Sequence, residues 1–134
     1  MWSSRTLTTM AVSAIILLIL DGIYLFGFSK LFNTTILDIQ HTPFNVPQYK
    51  YLSVFICYIL IIAALNFFIL RDSDKTPFDA FLLGIVIYGI YETTNYSIFT
   101  KWPISIAIID TLWGGILFAL TAYITSITTP ILRF

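Results

Sequence analysis

The sequence predicts an all-α integral membrane protein, an antiparallel four-helix bundle with up-down spans, occupying residues 1–134 as a single transmembrane domain. Three observations lead there. Of the 134 residues, 58% are hydrophobic and only 10% are charged, against roughly 25% charged in an ordinary soluble domain. Four windows, 7–28, 47–70, 77–98 and 103–125, meet the length of about 20 residues that a helix needs to cross a hydrocarbon core ~30 Å thick. Strand-like segments of ~10 alternating residues are not evident, and helices satisfy their backbone polar groups internally, as lipid demands. A chain this short cannot hide so much apolar surface in a soluble core, so its solvent is expected to be lipid.

The first span follows Arg5, and a basic residue ahead of the apolar run 11–20 has the outline of a secretory signal. No small-x-small cleavage site follows, and the apolar stretch resumes past Asp21 through Phe28, so the segment is read as a retained helix. Residues 29–46 are too many for a tight turn and hold the single histidine, His41, with Pro43. Loops above ~12–15 residues are often functional or mobile. Leu31, Phe32, Ile36 and Leu37 are either a short amphipathic segment along the membrane interface or hydrophobes on a plain surface loop. The second span carries the single cysteine, Cys57, in an apolar run, which excludes an intrachain disulfide and suggests a small buried hydrophobe. Asn66, near the far end of that span, reads as a helix-end residue.

The third span is announced by RDSDKTPFD. Thr76 can cap, Pro77 fits the first helical position, and Asp79 completes a capping-box pattern beside the positive helix end. Only residues 99–102 separate it from the fourth span. Lys101 and Trp102 suit the headgroup layer, and Pro103 opens the next helix, so these two spans form an antiparallel hairpin. The face with both termini and the second loop carries Arg5, Arg71, Lys75 and Arg133, and the other carries Lys30, Lys50 and Lys101. The positive-inside rule then places both termini in the cytoplasm. Seven basic and seven acidic residues give no net charge and no basic run, so no nucleic-acid partner is expected.

The informative residues are polar ones inside spans. Asp21, Glu92 and Asp110 fall on three different spans, all roughly 9–12 Å below the same membrane face at 1.5 Å rise per residue. Asn95 lies one turn after Glu92 on the same helical face, and Tyr88 and Gly84 continue that face in the other direction. On the fourth span Gly114 follows Asp110 by one turn, with Trp113 alongside and Thr121 and Thr125 farther down the stripe. Small residues permit close packing, so the polar faces of spans three and four can meet. No Lys, Arg or His falls in the interior of a span. A lone carboxylate in low dielectric is expensive, and the usual escape is to keep its proton. An intramembrane ionisable residue is by default a functional-site hypothesis. The expected site is therefore a proton, small-cation or polar-headgroup site made of Asp21, Glu92, Asn95 and Asp110, with Tyr24, Tyr88, Tyr91 and Trp113 as lining. The competing reading makes the acids and the amide interhelical hydrogen-bond glue at ~1 kcal/mol each, and makes Tyr24, Tyr91 and Trp113 ordinary packing.

No phosphate loop, HExxH, CxxC, Gly-x-Ser-x-Gly elbow or TVGYG-like filter is present. No cofactor is expected, and one histidine makes no conventional zinc site, although an all-carboxylate site for a hard cation stays open. The run Asp21-Gly22-Ile23-Tyr24, the segment GIVIYGIYETTN from Gly84 to Asn95, then Trp102-Pro103 and Asp110-Thr111-Leu112-Trp113-Gly114 resemble the motifs of a family of small membrane proteins catalogued as domain of unknown function 2177, over nearly all of residues 14–122. Tyr24 stands where that family has Trp, and Glu92 where it has Asp. Both keep the chemical type. The resemblance implies a four-helix membrane fold and, from the family's bacterial and large-DNA-virus members, a possible place in a viral membrane. It transfers no activity. Three functions remain: a multi-pass protein whose acidic layer binds or relays its ligand, a structural membrane component with a homo-oligomeric or capsid-type protein partner, and an intramembrane lipid-acting enzyme using Glu92 or Asp110 as acid or base.

Overall fold

The computed structural model of the protein describes residues 4–129, Ser4 and Arg5 by backbone alone. The Arg5 side chain and Arg133, both used in the orientation argument, lie outside what is described. Five α-helices follow in order: α1 (Ser4–Gly27), α2 (Ser29–Gln40), α3 (Tyr51–Leu65), α4 (Pro77–Ile98) and α5 (Ile104–Thr128). A 3-10 turn, Gln48–Lys50, leads into α3, and a π-helical turn, Asn66–Leu70, prolongs it. No strand occurs among the described residues.

Thr6–Gly27, Gln48–Leu70 and Ile104–Thr128 are long and apolar enough to cross a membrane. The expectation of four such spans narrows to three. α4 forms over the expected range and, at about 33 Å, has the length, but Asp79, Glu92, Asn95 and several hydroxyls dilute its apolar character. Its start is as read from the sequence: the Asp79 amide donates to Thr76 Oγ1 at 3.3 Å and the Thr76 amide donates to Asp79 Oδ2 at 2.8 Å, a closed capping box.

α4 and α5 form the tightest pair, because glycines let the backbones touch. A Cβ on Gly84 would land on the carbonyl oxygen of Gly114 and lie 3.0 Å from Gly115 Cα, and one on Gly115 would meet Phe81 Cε1 at 2.7 Å. Small residues at a crossing give van der Waals contact where lipid supplies no hydrophobic drive between helices. α1 lies against α5, and α3 leans on α1 from outside. Their shared core is Leu17, Leu65, Ile69, Leu70, Ala80, Leu117, Phe118 and Ala122.

One local expectation is corrected and two are extended. Cys57 is exposed: α3 turns Tyr58, Ile61, Ile62 and Leu65 to the core, and residue 57 falls off that stripe. Asn66 stands at the end of α3 as expected, and it is also buried and donates to Ser13 Oγ at 2.9 Å, tying α3 to α1. Trp102 is buried too, packed with Ile106 and Ala107. The first loop contains the amphipathic α2. Its residues Phe32 and Ile39 cover the Trp102 cluster, Thr35 is buried between them, and Leu31 and Leu37 point outward.

Candidate functional site

α1, α3 and α5 meet at Asp21. Its Oδ1 accepts the indole N–H of Trp113 at 3.0 Å, and its Oδ2 accepts the hydroxyl of Tyr58. One turn along α1, the Tyr24 hydroxyl donates to Asp110 Oδ1 at 3.1 Å. The same two aromatic donors lie flat on each other, ring centroids 4.6 Å apart and planes 5° from parallel. Because residues three apart share a helical face, these two crossed bonds lock α1 and α5 into one antiparallel register.

Glu92 closes the layer from α4. It is 1% exposed, and its Oε1 accepts the indole N–H of Trp102 at 2.8 Å. Its Oε2 receives no donor, although the carboxyl of Asp110 is close enough to interact with it directly. Asn95, buried one turn farther along α4, has an amide nitrogen with no acceptor. A carboxylate only accepts and a protonated carboxyl also donates. A proton on either Glu92 or Asp110 would supply the missing donor.

The fold brings Asp21, Tyr24, Glu92, Asp110 and Trp113 into one layer, held by the bonds of Tyr24 to Asp110 and of Trp113 to Asp21. Tyr88 lies on the core side of the layer, with its ring packed over Gly114. Asn95 borders Glu92 without bonding to it. Tyr91 is not brought in: it is 57% exposed, because its neighbour Glu92 takes the inward face of α4. No three potential metal ligands of the His, Cys, Asp and Glu types cluster among the described residues. The acids are an interacting pair, Glu92 with Asp110, and a third, Asp21, held separately by its own donors.

Sequence reasoning missed Tyr58 and Trp102, which supply two of the four aromatic hydrogen bonds to these carboxyls. Tyr58 had a readable signal, a lone phenol in the middle of the aliphatic run CYILIIAAL. Trp102 had none, since tryptophan before a membrane helix is ordinarily an interface anchor.

A family model described as "Predicted membrane protein (DUF2177)" matches residues 6–127. No curated protein and no solved structure matches the chain.

Proposed function

We propose, for a chain that belongs to the DUF2177 family of predicted membrane proteins, that it crosses the bilayer four times and that Glu92 and Asp110 hold a proton between them, making the bundle a proton-binding and proton-passing protein. α4 supplies the fourth crossing. Its Glu92 and Asn95 turn inward while Phe78, Leu82, Val86 and Ile90 are exposed, so the surface it offers to lipid is apolar and its costly groups are hidden. The excess of basic residues on the face bearing the termini and the second loop favours a cytoplasmic location for both ends.

The carrying observation is Glu92 Oε2, a buried carboxyl oxygen without a donor beside a second carboxyl. If both groups were ionised, two like charges would sit in a poorly hydrated interior to which the described residues bring no basic side chain. One shared proton converts that repulsion into a hydrogen bond. Asp21, already satisfied by two donors, is the additional carboxyl of the layer. The test is infrared difference spectroscopy on purified protein in liposomes. A carbonyl band from protonated carboxyl is expected in the wild type and is expected to be lost in the double variant Glu92→Gln, Asp110→Asn. A wild-type spectrum without that band, or one that the double variant leaves unchanged, defeats the reading.

A structural role is the second reading, and it too has a specific support. Asp21 is bonded from α3 and α5, and Asp110 from α1, which is how interhelical polar glue is arranged. The chain would then be a membrane-shaping component, in a cell or a virion, with lipid, a second copy or a coat protein as its partner. Under that reading the Gln and Asn replacements change assembly and leave proton movement as it was.

A further inference from the structure

The two bonds that lock α1 to α5 also set what lies farther down their seam. Tyr24 faces Asp110 and Asp21 faces Trp113, so each step back along α1 is matched by one step forward along α5. Continued, that register sets Leu17 opposite Leu117, Ser13 opposite Thr121 and Thr9 opposite Thr125. All six are buried. The seam therefore reads as a carboxyl layer, an apolar layer and then a second polar layer, the last joined from the side by Asn66, whose amide donates to Ser13 Oγ at 2.9 Å.

Thr121 and Thr125 are the unusual members. Both are wholly buried, and neither Oγ1 has a hydrogen-bond partner among the described residues. Other helical hydroxyls here do what such groups do in an apolar medium and bond to the carbonyl one turn earlier: Thr93 to Gly89, Thr94 to Ile90, Ser97 to Thr93 and Thr128 to Ile124. Thr121 and Thr125 are not paired this way. A buried polar group without a protein partner is ordinarily satisfied by water, which takes two to four hydrogen bonds in such sites.

We infer that Ser13, Asn66, Thr121 and Thr125 form a second station that holds ordered water, and that the α1–α5 seam is a two-station proton route with the carboxyl layer at its other end. Asp21 and Ser13 are eight residues apart on α1, about 12 Å along the axis. Leu17, Leu117 and Phe118, all 0% exposed, part the stations and keep the route closed until water enters between them. Hydroxyls both donate and accept, so each transfer breaks one O–H bond as the next forms, and nothing is oxidised or reduced. The route rests on the proton reading of Glu92 and Asp110. The water station does not.

The experiment uses the full chain in liposomes with an imposed pH gradient, an internal pH dye and potassium with valinomycin to carry the counter-charge. Thr121→Val with Thr125→Val removes the hydroxyls and keeps the shape; Thr121→Ser with Thr125→Ser keeps the hydroxyls and guards against a packing artefact. Radiolytic hydroxyl labelling reports water bound at the station through Leu117 and Phe118, which lie one turn before Thr121 and border it. The expected result is wild-type labelling there, its loss in the valine variant, a severalfold fall in proton flux in that variant, and near-wild-type flux in the serine variant. The carboxyl infrared band stays in all of them. Wild-type liposomes no leakier than empty ones, absence of label at the station, or unchanged flux in the valine variant overturns the route. If the carboxyl band is missing while the label persists, the proton reading of Glu92 and Asp110 has failed, and the route with it, leaving the water station standing alone.

Discussion

Asp21, Glu92 and Asp110 owe their places to aromatic donors. Indole and phenol groups suit this task because each presents a large apolar body to the bundle and one N–H or O–H at its tip. Trp102→Phe keeps most of that body and removes the donor, leaving Oε1 of the 1% exposed Glu92 without its indole partner. A loss of about 1–3 kcal/mol is expected, the usual cost of stranding a buried acceptor, read from thermal melts in detergent micelles. Tyr58→Phe removes one of the two donors to Asp21, and a smaller loss of about 1 kcal/mol is expected in the same melt. Tyr91→Phe is the control. Its side chain is exposed, and a change within about 0.5 kcal/mol is expected there. If the three variants melt alike, the aromatic donors do not hold the layer.

Helix α4 shows how an element is set by its ends and its smallest residues. Gly84 and Gly114 meet so closely that no side chain fits at residue 84, since an added Cβ would lie on the Gly114 carbonyl. Gly84→Ala therefore has to push two backbones apart, and a loss of about 1–3 kcal/mol is expected, together with weaker coupling between Glu92 and Asp110 seen as a shift of the carboxyl infrared band. Gly22→Ala, on α1 with nothing within 4 Å of the new methyl, is expected to be neutral or stabilising by up to about 1 kcal/mol from helix propensity alone. Equal effects of the two alanines would refute the close crossing. At the N-terminus of α4, Thr76→Ala opens the capping box and is expected to cost about 1 kcal/mol, with amide exchange faster in the first turn of α4 and unchanged in α5.

The molecule as a whole turns most of its large apolar side chains outward. On α3, Leu52, Phe55 and Leu60 are all exposed, an arrangement suited to hydrocarbon and unsuited to water. The number of crossings is the global question. Cysteines placed singly at Ser73 and Lys101, in a Cys57→Ser background, bracket α4. A membrane-impermeant maleimide applied to sealed, oriented vesicles is expected to reach the two from opposite sides. Labelling from the same side would show that α4 does not traverse the bilayer and that the carboxyl layer lies closer to water than proposed.

Lipid as the solvent, the positions of α1, α4 and α5, the cap at Thr76 and the acids on three separate helices were all legible in the sequence, because each depends on composition or on neighbours within a turn or two. α2 was half legible: its hydrophobes were visible, but whether they form a helix against Trp102 depends on a cluster more than sixty residues away in the chain, Trp102, Ile106 and Ala107. Periodicity places a side chain on its own helix and says nothing of which neighbour that face will meet. Helix rotation and register decide that, and here they are set by long-range contacts, the Gly84–Gly114 approach and the paired bonds of Tyr24 and Trp113. Only the tertiary structure could therefore give Asp21 to Tyr58, give Glu92 to Trp102, turn Tyr91 outward, and leave Thr121 and Thr125 buried without a protein partner.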